Sequence, residues 1–152
     1  MNKVKNVGLI AHDACKKNMM EWVAFNAKRL SSHNLICTGT TGKLVEEVLK
    51  TKFPNLNINI TKLKSGPLGG DQQMGALIAS DKIDILIFFT DPMTTQPHDV
   101  DIKALIRLST IANIVVACTR SSADFVISSA LFDSDYQLVK ENYESYISRI
   151  LK

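Results

Sequence analysis

Short apolar runs alternate with segments of helical periodicity along most of this 152-residue chain. Five runs are apolar enough to form strands, and apolar residues recur every three or four positions in the segments that follow them. The predicted strands are Val7–Ala11, Leu35–Cys37, the segment containing Ile58, Ile60 and Leu63, Ile85–Phe89, and Ile114–Ala117. This alternation is typical of parallel strands joined by crossover helices. It predicts an α/β fold in one domain, residues 1–152, with helices on both faces of a mostly parallel sheet of five strands.

The patterns of two strands predict their positions in the sheet, and the pattern of the C-terminal segment predicts a last helix. Ile58, Ile60 and Leu63 alternate with polar residues, so this strand has one exposed face and is expected near a sheet edge. Ile85–Phe89 is unbroken and apolar, as expected for a strand that is covered on both faces. Helical spacing near the C-terminus predicts a last helix that presents Tyr143, Tyr146, Ile147, Ile150 and Leu151 on one face.

Composition narrows the classes of partner. The net charge is only +3, and no basic run interleaved with aromatic residues points to a nucleic-acid partner. The three cysteines are widely spaced, which is typical of reduced thiols. The apolar runs are too short to cross a bilayer, and the N-terminus has no signal-peptide pattern. We therefore expect a cytoplasmic protein without a membrane partner.

The stretch from Ser65 to Gln73 has the most unusual composition in the chain, with three glycines and a proline within six residues. Glycines leave backbone amides open to a ligand, and a helical pattern follows, so the stretch predicts an anion site at a helix N-terminus. Asp71 lies where loop and helix meet. It either caps the helix, as Asp commonly does, or is a carboxylate base held beside a bound phosphate.

A second loop, Thr38–Gly42, combines hydroxyl groups and free amides at a predicted helix start. It suits a phosphate, although threonine is also a fair helix cap. It is not a Walker A loop, because Cys37 and Leu44 replace the glycine and the Ser or Thr of that motif. Lys16, near the start of the first helix, either supplies a counter-charge or is solvated. The chain lacks G-x-G-x-x-G, so no dinucleotide cofactor is expected.

The polar loop after the fourth strand carries His98 among several carboxylates. This histidine is either a solvated loop residue or a group that polarises a carbonyl and shuttles a proton near neutral pH. Asp91, Asp99 and Asp101 orient it, bind a metal or cap the following helix. Their spacing matches no local metal motif, so no metal is expected.

The unusual polar residues follow successive strands. His12 and Asp13 come after the first, and Asp13 is also the expected cap of the first helix. Thr38–Gly42 follows the second strand, Ser65–Asp71 the third and Asp91–Asp101 the fourth. Ligands of parallel α/β sheets bind outside the carboxyl ends of the strands, so we expect these residues to share one site.

Motifs in these loops resemble the methylglyoxal synthase family, whose members convert dihydroxyacetone phosphate to methylglyoxal and phosphate. The motifs are His12-Asp13-x-x-Lys16, Thr38-Gly39-Thr40-Thr41-Gly42, Ser65-Gly66-Pro67-Leu68-Gly69-Gly70-Asp71-Gln72-Gln73, Phe89-x-Asp91-Pro92 and Pro97-His98-Asp99-x-Asp101-x-Lys103-Ala104-Leu105. They stand in the family's order and cover most of the chain. The resemblance implies a Rossmann-like fold of three layers and a carbon–oxygen lyase without cofactor or metal. It further implies inhibition by inorganic phosphate and a homohexamer.

The resemblance also implies roles for individual residues. Asp71 takes a proton from the substrate, His98 donates a hydrogen bond to the substrate oxygen, and Asp101 positions the histidine or relays protons. The implied substrate- and phosphate-binding residues are His12, Lys16, Thr38, Thr40, Thr41, Ser65 and Gly66. Supporting contacts are expected from Asp13, Asp91 and Arg149.

Two other classes stay open on the residues alone. A non-catalytic regulatory module that binds phosphate ligands would need the threonine loop, but not Asp71, His98 and Asp101. A metal-dependent hydrolase would lose its activity in EDTA.

Overall fold

The structure, a computed structural model, describes residues 1–149. Its strands are Asn6–Ala11 (β1), Asn34–Cys37 (β2), Asn59–Lys62 (β3), Ile85–Phe89 (β4) and Val115–Ala117 (β5). Its helices are Lys16–Phe25 (α1), Ala27–Leu30 (α2), Gly39–Lys52 (α3), Gly70–Ala79 (α4), Asp99–Ile111 (α5), Arg120–Ser128 (α6) and Glu144–Ile147 (α7). Short 3₁₀ turns at Asp13–Cys15 and Gly66–Leu68 precede α1 and α4.

The strands of the described residues form one sheet in the order β3-β2-β1-β4-β5, and every neighbouring pair is parallel. The predicted α/β fold with a parallel sheet is therefore confirmed. β3 lies at an edge with most of its residues exposed, as the alternating pattern predicted. The chain winds outward in one direction from β1 to β3 and in the other from β4 to β5. The boundary between β1 and β4 is thus the point of the sheet where ligands usually bind.

Helices cover both faces of the sheet, and β4 illustrates why. Ile85, Ile87 and Phe89 pack against residues of α1, α3 and α6, whereas Leu86 and Phe88 pack against residues of α4 and α5. Successive side chains of a strand point to opposite faces, so a strand in the middle layer needs apolar residues at every position. This accounts for the unbroken apolar run in the sequence.

A ladder of asparagines fixes the register at the start of three strands. Asn6, Asn34 and Asn59 are partners across β1, β2 and β3. Nδ2 of Asn34 donates to Oδ1 of Asn6, and Nδ2 of Asn59 donates to Oδ1 of Asn34, both at 2.9 Å. A slip by one residue would turn every side chain to the other face. The ladder therefore helps to align the carboxyl ends of these strands, where the loops of the site begin.

Two predictions at helix ends need correction or restriction. Asp13 does not cap α1: it begins a 3₁₀ turn, and its carboxylate accepts a hydrogen bond from Nζ of Lys16 instead. At the C-terminus the helix covers only Glu144–Ile147, and the predicted helical positions Ile150 and Leu151 lie outside the described residues.

Across residues 1–149, no helix has the length and apolar character needed to cross a membrane.

Candidate active site

A cavity of about 230 Å³ opens at the carboxyl ends of the central strands. Its lining includes ten of the residues singled out from the sequence, namely His12, Asp13, Lys16, Thr38, Thr40, Thr41, Ser65, Gly66, Asp71 and His98. They come from four loops that are distant in sequence. The parallel sheet brings these loops to one edge, which is the arrangement expected from their positions after successive strands.

Two glycines allow close backbone packing on the loop after β3, one from the loop after β2 and one from the start of α4. The N–H of Gly39 donates to the carbonyl of Lys64 at 2.9 Å, and a Cβ on Gly39 would lie 2.8 Å from the nitrogen of Ser65. A Cβ on Gly70 would overlap with the same Lys64 carbonyl. A side chain at Gly39 would separate the threonine loop from Ser65, and a side chain at Gly70 would push the start of α4 away from Lys64 and Ser65. Gly39 therefore joins two walls of the cavity, and Gly70 holds the start of α4 against one of them.

The threonine loop keeps its hydroxyl groups free of the helix that it starts. Thr38 occupies the N-cap position of α3, yet its side chain makes no capping hydrogen bond. Its hydroxyl instead lies 3.5 Å from that of Thr41, and both residues are buried at the cavity wall. Thr40, two residues after Thr38 in the first turn of α3, is exposed and lines the cavity. Hydroxyls that do not cap the N-terminus of a helix are suited to bind an anion there, and capping does not explain Thr38.

Lys16 is fixed at the cavity rather than solvated. It is the first residue of α1, and its side chain is only 17% exposed. Its Nζ donates to the carbonyl of Ala11 at 2.9 Å and to Oδ1 of Asp13 at 2.7 Å. The hydrogen bond from Lys16 lowers the pKa of the exposed Asp13 carboxyl. Lys16 is the one lysine or arginine that lines the cavity within residues 1–149, and its role as the counter-charge for an anion stays a prediction.

Asp71 is buried and does not cap its helix. It is the second residue of α4, whose N-cap is Gly69 in a left-handed conformation with a φ of 98°. The carboxylate is 1% exposed, and its Oδ2 has no hydrogen-bond partner. Burial raises the pKa of Asp71; His98 opposes this shift, and the negative charge of Asp101 adds to it. A carboxylate with a raised pKa is a stronger base.

His98 is held against this base. It occupies the position before α5, and its side chain is 11% exposed, so it is not a solvated loop residue. Its Nε2 lies 3.3 Å from Oδ2 of Asp71 without forming a hydrogen bond, and its Nδ1 is buried without a partner. The imidazole and the carboxylate thus face the same space with unused polar atoms. Such atoms are costly to bury, so a ligand is expected to satisfy them.

His12 has a defined tautomer. The backbone N–H of Asp91 donates to its Nδ1 at 2.9 Å, so Nδ1 is an acceptor and the ring proton lies on Nε2. Nε2 is buried without a partner. Burial, and next the nearby His98, lower the pKa of His12. The ring is therefore a neutral imidazole with an unpaired Nε2–H at the cavity wall, and its edge-to-face contact with Phe88, 5.1 Å between centroids, fixes its orientation.

The other predicted side chains do not line the cavity. Asp101 lies behind Asp71, in a groove between α4 and α5. Asp91 contributes its backbone N–H, while its carboxylate accepts from the N–H of Met93, a bond that lowers the pKa of Asp91. The guanidinium of Arg149 lies 3.7 Å from the centre of the Tyr146 ring. The roles of these side chains therefore stay predictions.

Four lining residues were not predicted as site residues from the sequence, namely Ile10, Ala11, Pro67 and Gln96. Gln96 lies in the polar loop before His98, and its backbone N–H donates to Oδ1 of Asp99 at 3.1 Å. Apolar strand residues and a loop glutamine give no chemical signal in a single sequence. Only their position at the end of β1 and beside His98 identifies them.

The arrangement suits proton abstraction from a small phosphorylated carbonyl compound. A base with a raised pKa, two imidazoles with unused nitrogens and an anion-binding loop share one small cavity. Within residues 1–149, no group of three or more His, Cys, Asp and Glu side chains is placed to hold a metal ion.

Comparisons with known proteins identify the family. The family model for the MGS-like domain matches residues 18–118. The chain is 48% identical to methylglyoxal synthase of Maridesulfovibrio salexigens, with 99% of this chain and 100% of that protein aligned. It is 49% identical to methylglyoxal synthase of Proteus mirabilis, with 97% and 93% aligned. The crystal structure of methylglyoxal synthase from Elizabethkingia anophelis superposes with a TM-score of 0.89 at 45% identity, covering 100% of this chain and 95% of the other. With the motifs, the fold and these relatives in agreement, this chain belongs to the methylglyoxal synthase family.

Proposed function

We propose that this chain is a carbon–oxygen lyase that converts dihydroxyacetone phosphate to methylglyoxal and inorganic phosphate, without a cofactor or a metal. The observation that carries the proposal is the buried carboxylate of Asp71, which has an unpartnered oxygen 3.3 Å from His98 in a cavity that also holds an anion-binding loop. A module that only binds phosphate has no use for such a base, because an unpaired buried charge reduces stability.

The phosphate group of the substrate binds at the threonine loop. The hydroxyls of Thr38, Thr40 and Thr41 donate to it, together with Ser65 and the backbone of Gly66. Ser65, like Thr38, precedes its helical turn without a capping bond from its side chain, so its hydroxyl is available. Lys16 adds a positive charge, and Asp13 holds the ammonium group in place.

Asp71 then removes a proton from the hydroxymethyl carbon of the substrate. The electron pair of the broken C–H bond forms a C=C bond to the carbonyl carbon, and negative charge moves to the carbonyl oxygen. The resulting enediolate expels phosphate from the neighbouring carbon. The terminal hydroxyl loses its proton and forms the aldehyde C=O, the electrons of the C=C bond move to form a new C=C bond to the phosphate-bearing carbon, and the C–O bond to phosphate breaks with its electron pair leaving on the phosphate. The product enolate then takes up a proton at its terminal CH2 carbon to give methylglyoxal.

Expulsion of phosphate requires a particular geometry. The C–O bond to phosphate must stand roughly perpendicular to the enediolate plane, so that its electrons overlap with the π system. A rigid cradle that holds the phosphate out of this plane favours elimination over the return of the proton, which would only isomerise the substrate. The backbone packing at Gly39 and Gly70 supports such rigidity.

The two histidines stabilise the developing oxyanion. His12 donates from Nε2 as a neutral imidazole, and His98 donates to the same region. Asp101 lies behind Asp71 and keeps the base reactive, since its charge adds to the rise in the pKa of Asp71. Asp91 orients His12 through its backbone N–H. Arg149 is proposed to make a supporting contact at the active site.

Assembly and regulation follow as further proposals. Leu68 in the 3₁₀ turn after β3, Met93 in the loop after β4 and Val100 in the first turn of α5 are exposed apolar side chains. Such side chains support association of several copies, and we propose a homohexamer. Inorganic phosphate is a product that fits the same cradle, so it is expected to inhibit. The protein is proposed to act in the cytoplasm on a metabolite, with no nucleic-acid or membrane partner.

The test is the stoichiometry of products from purified protein. The protein is treated with EDTA and incubated with dihydroxyacetone phosphate, and methylglyoxal and inorganic phosphate are measured separately. Equal amounts of both, unaffected by EDTA, are the expected result. Phosphate release without methylglyoxal, or a loss of activity in EDTA, would favour a metal-dependent hydrolase. Binding of phosphate compounds without turnover would favour the non-catalytic module.

A further inference from the structure

A second cavity, with a volume of about 340 Å³, lies at the opposite end of the sheet from the candidate active site. Lys5, just before β1, lines it together with Ile85 and Val115, the first residues of β4 and β5. The active-site cavity lies at the carboxyl ends of the strands instead. β4 has five residues, so roughly 13 Å of strand separates the two cavities. The second cavity therefore has the size of a small-molecule site and is distinct from the active site.

The wall of this second cavity is largely apolar. Its apolar lining residues are Met1, Ile85, Val115, Phe125, Val126, Leu131 and Phe132. Two of them keep much of their surface in water, since Phe125 is 81% exposed and Leu131 is 54% exposed. A ligand with an apolar body would remove this surface from water, which favours its binding.

The same wall contains a buried positive charge. Within residues 1–149, Lys5 is the one lysine, arginine, aspartate or glutamate that lines this cavity, and it is only 1% exposed. Its Nζ donates to the carbonyls of Asn2 and Ser134, which are neutral acceptors. No Asp or Glu among residues 1–149 forms an ion pair with this ammonium group. Buried charges are normally paired with an opposite charge, and an ammonium group has a third N–H to donate.

We propose that this cavity binds a small monocarboxylate with an apolar body. The carboxylate pairs with the ammonium group of Lys5, and the apolar part lies against Val126 and Phe132. One buried positive charge matches one negative charge, whereas a phosphate dianion would keep an uncompensated charge in an apolar site. The inference does not depend on the proposed function.

Ligands of one chain length test the charge and the apolar part separately. The native protein is titrated by calorimetry with octanoate, octanol and octylamine. Octanoate is expected to bind about 10-fold or more tightly than octanol, because it gains a hydrogen bond between charged groups. Octylamine is expected to bind more weakly than octanol, since its charge repels that of Lys5. Saturating inorganic phosphate is expected to leave the affinity for octanoate unchanged, because phosphate occupies the other cavity.

A first pair of variants tests the ammonium group. Lys5→Met keeps an unbranched apolar side chain and removes the charge, so it is expected to abolish the preference for octanoate over octanol. Lys3→Met is the matched control, because Lys3 is exposed and does not line this cavity. This control is expected to keep the native preference.

A second pair leaves Lys5 unchanged, because Lys5→Met deprives two carbonyls of their donor and can unfold. Val126→Phe fills part of the cavity and is expected to lower the affinity for octanoate by about 10-fold or more. Val48→Phe is the matched control, since Val48 is also a half-buried helical valine but does not line this cavity. It is expected to bind octanoate as the native protein does.

Contrary results overturn the inference. Equal affinities for octanoate and octanol would show that Lys5 takes no part, and equal losses in the two valine variants would show that the ligand lies elsewhere. Displacement of octanoate by inorganic phosphate would place it in the active-site cavity. In the native complex, nuclear Overhauser effects are expected between the chain protons of octanoate and the methyl groups of Val115 and Val126. Their absence with octanoate bound would contradict the proposed position.

Discussion

Replacing His12 with asparagine or with glutamine separates the functions of its two ring nitrogens. Nδ1 accepts the N–H of Asp91 at 2.9 Å, whereas Nε2 is buried without a partner. The side-chain oxygen of asparagine lies near the position of Nδ1, and the amide nitrogen of glutamine reaches the position of Nε2. His12→Asn therefore keeps the acceptor and loses the donor, and His12→Gln does the reverse.

The expected losses differ in kind. Removing one donor to a developing oxyanion lowers kcat by about 100- to 1,000-fold, so His12→Asn is expected to lose about 100-fold or more. His12→Gln keeps a donor and is expected to stay within about 10-fold of the native kcat. Its effect lies in stability, because the N–H of Asp91 loses its partner, which lowers the free energy of unfolding by about 1–2 kcal/mol.

Initial rates of methylglyoxal formation and urea denaturation measure the two effects on the same preparations. Asparagine is expected to be the slower and more stable variant, and glutamine the faster and less stable one. Equal losses of kcat in two folded variants would refute the assignment of the proton to Nε2 and the donor role of His12.

Further predictions concern pH, stability and the phosphate cradle. The value of kcat/KM is expected to fall as the pH falls, because Asp71 must be ionised, with a pKa above its usual 3.8, and His12 must be neutral, with a pKa below its usual 6.5; a rate that rises on acidification would contradict this. Burial raises the pKa of Asp71, so the folded state disfavours the charged form: Asp71→Asn is expected to raise the midpoint of thermal unfolding at pH 7, with the gain disappearing below pH 3.8. Lys16→Met is expected to raise KM by about 10- to 100-fold, since a hydrogen bond between charged groups is lost, and an unchanged KM would remove Lys16 from the cradle. Thr40→Ala is expected to raise KM by about 10-fold; Thr110→Ala, which removes a hydroxyl bonded within α5, is the control and should leave KM unchanged.

The fold class and the position of the site were accessible from the sequence because they depend on local patterns. Alternating strands and helices predicted a parallel sheet, and chemistry-bearing residues after successive strands predicted one shared site. Strand order was not accessible, since the apolar runs of β1 and β4 look alike and their neighbours are set by packing. The boundary between β1 and β4, which brings His12 next to His98, is known only from the structure.

The properties that decide the chemistry depend on contacts between distant residues. Asp71 does not cap its helix, and its burial depends on contacts between loops whose positions the sequence does not give. The tautomer of His12 is set by a backbone N–H 79 residues away. Asp13 was expected to cap α1, but the close ammonium group of Lys16 competes for its carboxylate. The close surroundings of Gly66 are likewise set by Asp71 of α4 and by His98 before α5.

The most direct test of the central claim is Asp71→Asn, which changes one oxygen to an amide nitrogen at nearly constant volume. The variant is assayed for methylglyoxal formation from dihydroxyacetone phosphate and for binding of inorganic phosphate by calorimetry. A loss of kcat by about 1,000-fold or more, with phosphate affinity within about 3-fold of the native protein, is expected, since the base is lost and the cradle is kept. Turnover close to that of the native protein would show that Asp71 is not the base.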